Sequence, residues 1–148
     1  MPEADSITTL LAFDYGRRRT GVAIGQTITG SARGLLTLEA LGEQPDWQQI
    51  AALIDQWQPD LLLVGLPRRA DGSDSEQTLA ARAFASELGQ FDLPVQLIDE
   101  HLTSNDASRQ LAEQRRSGRR SRRVRKQDID ALSAALIAEQ WLHERLIR

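Results

Sequence analysis

Residues 60–67 read DLLLVGLP, an unbroken apolar run with Pro59 in front of it and Pro67 at its end. A strand with one wet face alternates apolar and polar residues; a run without alternation suits a strand covered on both faces. Such strands belong to layered α/β sheets, so helices are expected on either side. The residues just upstream supply one. In DWQQIAALIDQWQ (46–58), Trp47, Ile50, Ala51, Ile54 and Trp57 recur at spacings of three and four, which predicts an amphipathic helix with Asp46 as N-cap and Pro59 as its stop. Downstream, the polar loop RRADGSDSE (68–76) leads into a helix predicted over 75–88. Pro94 then opens VQLIDE (95–100), a second short buried strand.

Toward the N-terminus the period changes. TTLLAFDY (8–15) is β-rich and stops at Gly16, TGVAIGQT (20–27) is β-branched and glycine-bounded, and SARGLLTL (31–38) reads as a third strand. Short connections between them imply an antiparallel meander. Residues 1–7 read as a loose terminus. Beyond the second buried strand, residues 102–116 are helical in composition, an arginine-rich loop follows, and Asp128 opens a last, largely apolar helix, DIDALSAALIAEQWLHERL (128–146). The expected architecture is a mixed five-stranded sheet, three antiparallel strands first, with helices on both faces. With 148 residues, no repeat and no linker, one domain is expected.

Composition narrows the chemistry. At 41% hydrophobic and 26% charged residues the chain is globular in balance, and no apolar run approaches the roughly 20 residues of a membrane helix. The opening MPEADSITTL carries acids where a secretory signal would carry bases, so a cytoplasmic protein is expected. Cysteine is absent and histidine is limited to His101 and His143, which excludes disulfides, thiolate zinc sites and cysteine nucleophiles.

The net charge of −3 hides a local excess of the opposite sign. Of 18 basic residues, 17 are arginine and one is Lys126. Residues 115–126 hold Arg115, Arg116, Arg119, Arg120, Arg122, Arg123, Arg125 and Lys126 without a single acid. Planar guanidinium forks match phosphate oxygens, so this stretch is expected to hold a nucleic-acid backbone. A solvated basic loop is the plain alternative.

Acids occupy positions where apolar residues would be expected. Asp14 ends the first strand, Asp99 and Glu100 end the last, and Asp128 and Asp130 open the final helix. Strand ends line the functional crevice of an open α/β sheet. Carboxylates gathered there repel one another unless a cation lies between them, and all-oxygen ligation suits magnesium or manganese. Neighbours on a strand face opposite ways, so only one of Asp99 and Glu100 can enter the cleft. Asp128 and Asp130 lie about 200° apart on a helix; Asp130 shares the buried side with Ala134, Ile137 and Trp141, while Asp128 is placed to cap. Each acid also has a purely structural explanation, Asp14 as a turn cap among them. Trp47, Trp57 and Trp141 lie on apolar helix faces and read as core.

Four blocks, FDYGRRRTGVAIG (13–25), LLLVGLPRRADGSDSE (61–76), QLIDEHLTS (96–104) and DIDALSAALIAEQWL (128–142), resemble in order the motif blocks of the YqgF/RuvX family. These are Holliday junction resolvase-like proteins, also described as pre-16S ribosomal RNA nucleases, with a ribonuclease H-like fold. The resemblance spans about residues 10–142. It implies that Asp14, Glu100 and Asp130 form a catalytic, metal-binding triad, with Mg2+ or Mn2+ as the cation. The sequence departs from the family pattern at His101, where arginine is usual, and at Ser104, where threonine is common. Arg17, Arg68, Arg69 and Thr103 lie near the acids in these blocks and are expected, with the basic segment, to touch the substrate.

The resulting expectation is a metal-dependent phosphodiester hydrolase acting on structured nucleic acid, with 5′-end processing of pre-16S ribosomal RNA as the first reading. Resolution of branched DNA and a non-catalytic binding module in transcription or ribosome assembly are the rivals. No membrane partner is expected, and self-association is compatible with the sequence.

Overall fold

The computed structural model describes residues 7–100 and 126–146. Eight elements follow in order: β1 (Thr9–Asp14), β2 (Arg19–Gln26), β3 (Ser31–Glu39), α1 (Trp47–Trp57), β4 (Leu61–Leu66), α2 (Glu76–Leu88), β5 (Val95–Asp99) and α3 (Lys126–Leu146). The sheet order is β3-β2-β1-β4-β5. The first three strands form the antiparallel meander, and β4 and β5 join β1 in parallel. The expected helix over 102–116 lies outside the described residues.

Alternation along the strands sorts the core into two layers. Leu11, Phe13, Val22, Ile24, Leu62, Val64 and Leu66 face α1 and α2, where they meet Ile50, Leu53, Phe84 and Leu88. Leu10, Ala12, Leu61, Leu63 and Ile98 face the other way, onto Ile137, Ala138, Trp141 and Leu142 of α3. All six residues of β4 are buried, as the unbroken apolar run requires. Full burial of each of its leucines is worth about 1.5–3 kcal/mol, so this central strand anchors both layers.

The helix limits follow local chemistry. Asp46 accepts from Gln49 N at 3.2 Å and caps α1, whose other end stops at Gln58 in the left-handed region, φ 48°, before Pro59. Ser75 and Thr78 form a reciprocal capping box at the start of α2. The Thr78 hydroxyl also donates to the carbonyl of Pro67, tying the start of α2 to the end of β4.

Two expectations are corrected. Ile7, expected in a loose terminus, is only 5% exposed and packs with Leu10, and its carbonyl accepts from Thr27 Oγ1. Its apolar side chain extends the α3-facing layer by one residue. The final helix begins at Lys126, so Asp128 lies within its first turn and is not its N-cap.

Candidate active site at the carboxyl ends of β1, β4 and β5

Parallel pairing brings the carboxyl ends of β1, β4 and β5 to one edge of the molecule. Phe13 is in register with Val64, and Leu66 with Asp99. Asp14 therefore stands beside the end of β4, and Glu100 N bonds Leu66 O at 3.2 Å one residue beyond β5. Asp14 continues the face of Leu10 and Ala12, and Glu100 that of Ile98, so both point to the α3 side.

The α3 side is brought close by small residues. A Cβ built on Gly21 would stand 1.9 Å from the carbonyl oxygen of Asp130, and one built on Gly34 would stand 2.9 Å from that of Ala131. Gly21 is the direct cross-strand partner of Asp14. The missing side chain thus seats the first part of α3 against the sheet beside Asp14. On the other flank, a Cβ on Gly65 would meet Ile137 Cδ1 at 2.5 Å and Glu100 Oε1 at 2.6 Å, so glycine there also makes room for a candidate ligand.

The electrostatics register this assembly. Burial, then the negative charges of Glu100 and Asp130, push the Asp14 carboxyl from its ordinary 3.8 up to about 7. Burial alone pushes Glu100 from 4.5 up to about 7. Asp130 is drawn toward Arg19, whose Nε lies 3.4 Å from Oδ2. Among the described residues no three acids or histidines converge on a single point as the side chains stand. Asp14 therefore feels both of the other expected triad members, though the three do not close together. The donor set is oxygen only and fits a hard divalent cation such as magnesium or manganese.

Asp99 faces the opposite layer, where it accepts from Arg68 Nε at 2.9 Å. Arg68 also bonds Asp74 Oδ1 at 2.8 Å, so the guanidinium staples the 67–74 loop to the end of β5. An open cleft of about 570 Å³ runs between this loop and the acids, lined by Asp14, Tyr15, Arg68, Arg69 and Glu100 among others. Tyr15 stacks on Phe84 at 4.8 Å and forms the apolar shoulder of the cleft. Arg17 is exposed and borders a separate small depression with Asp46 and Ile50, on the α1 side. Thr103, Arg115, Arg116, Arg119, Arg120, Arg122, Arg123 and Arg125 lie outside the described residues, as does His101; Lys126 is the first residue of α3.

Two groups have partners that the sequence does not indicate. Arg19 lies on the same parity as Gly21 and Ala23, the face of β2 beneath α3, and its place inside the strand distinguishes it from Arg17, which precedes β2. Gln140 reaches from α3 to donate to Asp99 O at 2.6 Å and fixes the backbone that carries Glu100. Its signal was the helical stripe 130-133-137-140, which runs toward the strand ends.

Comparison with known proteins agrees with this fold. A protein of Pseudomonas aeruginosa named as a pre-16S rRNA nuclease is 50% identical over 137 residues, covering 91% of this chain and 92% of the relative. Two solved structures share the architecture at low identity, which bears on fold alone. The Fowlpox virus resolvase in complex with Holliday junction DNA aligns with TM-score 0.56 and 8% identity, over 94% of this chain and 99% of that chain. Thermus thermophilus RuvC aligns with TM-score 0.52 and 13% identity, over 94% and 96%. The family model described as "RuvX: Holliday junction resolvase" matches residues 8–144, and the chain belongs to the RuvX family.

Proposed function

We propose that this RuvX-family chain is a divalent-metal-dependent nuclease that hydrolyses phosphodiester bonds in structured nucleic acid, and that its substrate is the 5′ region of pre-16S ribosomal RNA, processed in the cytoplasm. The observation that supports the reading is the charge coupling of Asp14 to Glu100 and Asp130, which come from distant stretches of sequence. Each carboxyl would lend oxygen ligands to magnesium or manganese. When bound, such a cation supplies Lewis-acid polarisation of the scissile phosphate and acidifies a water nucleophile.

The chain's own residues do the rest. Asp14 and Glu100 hold their protons up to about pH 7 in the absence of a cation, so ligation there releases protons and strengthens with pH. The loop stapled by Arg68 fixes one wall of the cleft, and Arg69 on that wall is placed to meet a flanking phosphate. Arg17, Thr103, the arginines of 115–125 and Lys126 would extend the grip along the backbone, which positions a substrate without reading its sequence.

Cleavage of a pre-16S RNA fragment and of a four-way DNA junction, each with and without Mg2+, tests the reading. Mg2+-dependent cleavage confined to the RNA is expected. Cleavage of the junction alone would assign the chain to DNA resolution, and binding without cleavage of either would leave a non-catalytic module.

A further inference from the structure

Ser133 is 9% exposed, and its Oγ has no hydrogen-bond partner among the described residues. A buried serine inside a helix ordinarily returns its hydroxyl to the carbonyl one turn earlier. This one does not. Buried polar atoms without a partner are uncommon, and each calls for a physical reason, a bound water or ion among them.

The position of Ser133 supplies that reason. Asp130, Ser133, Ile137 and Gln140 lie at spacings of three and four on one stripe of α3. The two ends of the stripe are located: Asp130 rests on Gly21 of β2, and Ile137 rests on Gly65 of β4 beside Glu100. Between β2 and β4 in the sheet lies β1, whose last residue is Asp14. Ser133, between Asp130 and Ile137 on the stripe, therefore lies between the two contacts that flank the end of β1. With no partner among the described residues, its hydroxyl is open to an oxygen from outside them.

We propose that Ser133 is a positioning residue of the cation site, its hydroxyl hydrogen-bonded to a water of the hydration shell that magnesium or manganese keeps. Magnesium gives up its waters reluctantly, so a site built for it needs hydrogen-bond partners for water as well as direct ligands. This inference rests on the metal-dependent reading above and adds to its residues.

Calorimetric titration of the full chain with Mn2+ and with Mg2+, for wild type, Ser133→Ala and Asp14→Asn, combined with thermal melts in EDTA, tests it. Ser133→Ala removes one unpartnered oxygen, so its metal-free melting temperature should equal or exceed that of wild type. Its metal affinity should fall about 10- to 100-fold, the usual effect of losing an outer-shell partner. If Ser133→Ala binds metal as wild type does while Asp14→Asn does not, the serine is overturned and the metal site stands. If Ser133→Ala melts lower in EDTA with affinity unchanged, the hydroxyl serves packing, and the proposal is overturned. If neither wild type nor Asp14→Asn binds either ion, the metal-dependent reading fails and takes this inference with it.

Discussion

Gly21 and Asp130 meet backbone to backbone: a Cβ on Gly21 would lie 1.9 Å from the Asp130 carbonyl oxygen and 2.4 Å from its carbonyl carbon. No side-chain rotation can relieve an overlap with main chain, so a methyl group there must move the helix or the strand. Because Gly21 pairs with Asp14 across β1 and β2, the displaced helix would carry Asp130 away from Asp14. Gly21→Ala is expected to destabilise the protein by about 1–3 kcal/mol or more and to weaken metal binding further than stability alone accounts for. Gly89→Ala, at a helical φ of −58° with none of the described residues within 4 Å of the new methyl, should be neutral or slightly stabilising. Urea unfolding of both variants checks the contrast, and equal midpoints would refute the seating of α3 on Gly21.

The acids make a prediction about pH. Asp14 and Glu100 bind protons more tightly in the fold, at about 7, than at their ordinary values of 3.8 and 4.5. The folded chain therefore holds more protons than the unfolded chain across that interval, and stability is fully present below it and lost as pH rises through about 7. Asp14→Asn removes the group that is raised both by burial and by its negative neighbours. Melting temperatures in EDTA should show the variant gaining on wild type as pH increases from about 4 to 7, and exceeding it above that range. Asp60, held ionised first by the Thr8 N–H, shifts the opposite way but is common to both proteins and cancels. Parallel curves would show that Asp14 is not strained by its surroundings.

In the proposed site Arg19 would compete with a cation for Asp130. Removing it takes away one cationic partner of the carboxylate, so Arg19→Ala is expected to raise Mn2+ affinity by up to about fivefold, the scale of a partly exposed ion pair. The same change should weaken nucleic-acid binding, since the guanidinium lies beside the acids where a phosphate would approach. Titration calorimetry with metal alone and a filter-binding assay with RNA separate the two effects. A loss of metal affinity would show that Arg19 orients Asp130 productively.

The basic stretch predicts a salt dependence. Replacing Arg119, Arg120, Arg122 and Arg123 by serine should weaken binding across unrelated sequences and flatten the plot of log affinity against log salt by about 0.7–0.9 for each phosphate no longer neutralised. Its acid-free composition leaves no internal partner for these charges within the stretch itself. Equal slopes for wild type and the quadruple variant would identify ordinary solvated charge.

The sheet is legible in the sequence because its strands announce themselves through different rules. The unbroken LLLVGL run marks a strand covered on both faces, and Gly16 and Gly30 punctuate the meander. Strand alternation admits only one of Asp99 and Glu100 to the cleft, the family resemblance points to Glu100, and Asp99 does turn to Arg68 on the far layer. What the sequence conceals depends on partners far along the chain. Nothing near Arg19 indicates that Asp130 will reach it, and nothing near Ser133 indicates that its hydroxyl will be left alone. The start of the last helix is also hidden, because an aspartate two residues inside a helix resembles one placed at its cap.

The seat of α3 on Gly21 joins residues about 110 positions apart, with the first half of the sheet made early in synthesis and the helix made late. A ribosome extends the chain from its N-terminus, so β1 and Asp14 emerge well before Asp130 exists. Under the proposed function, the three carboxylates share one end of the sheet only after the helix carrying Asp130 has docked on Gly21, so final docking and the gain of metal affinity are expected to be a single event.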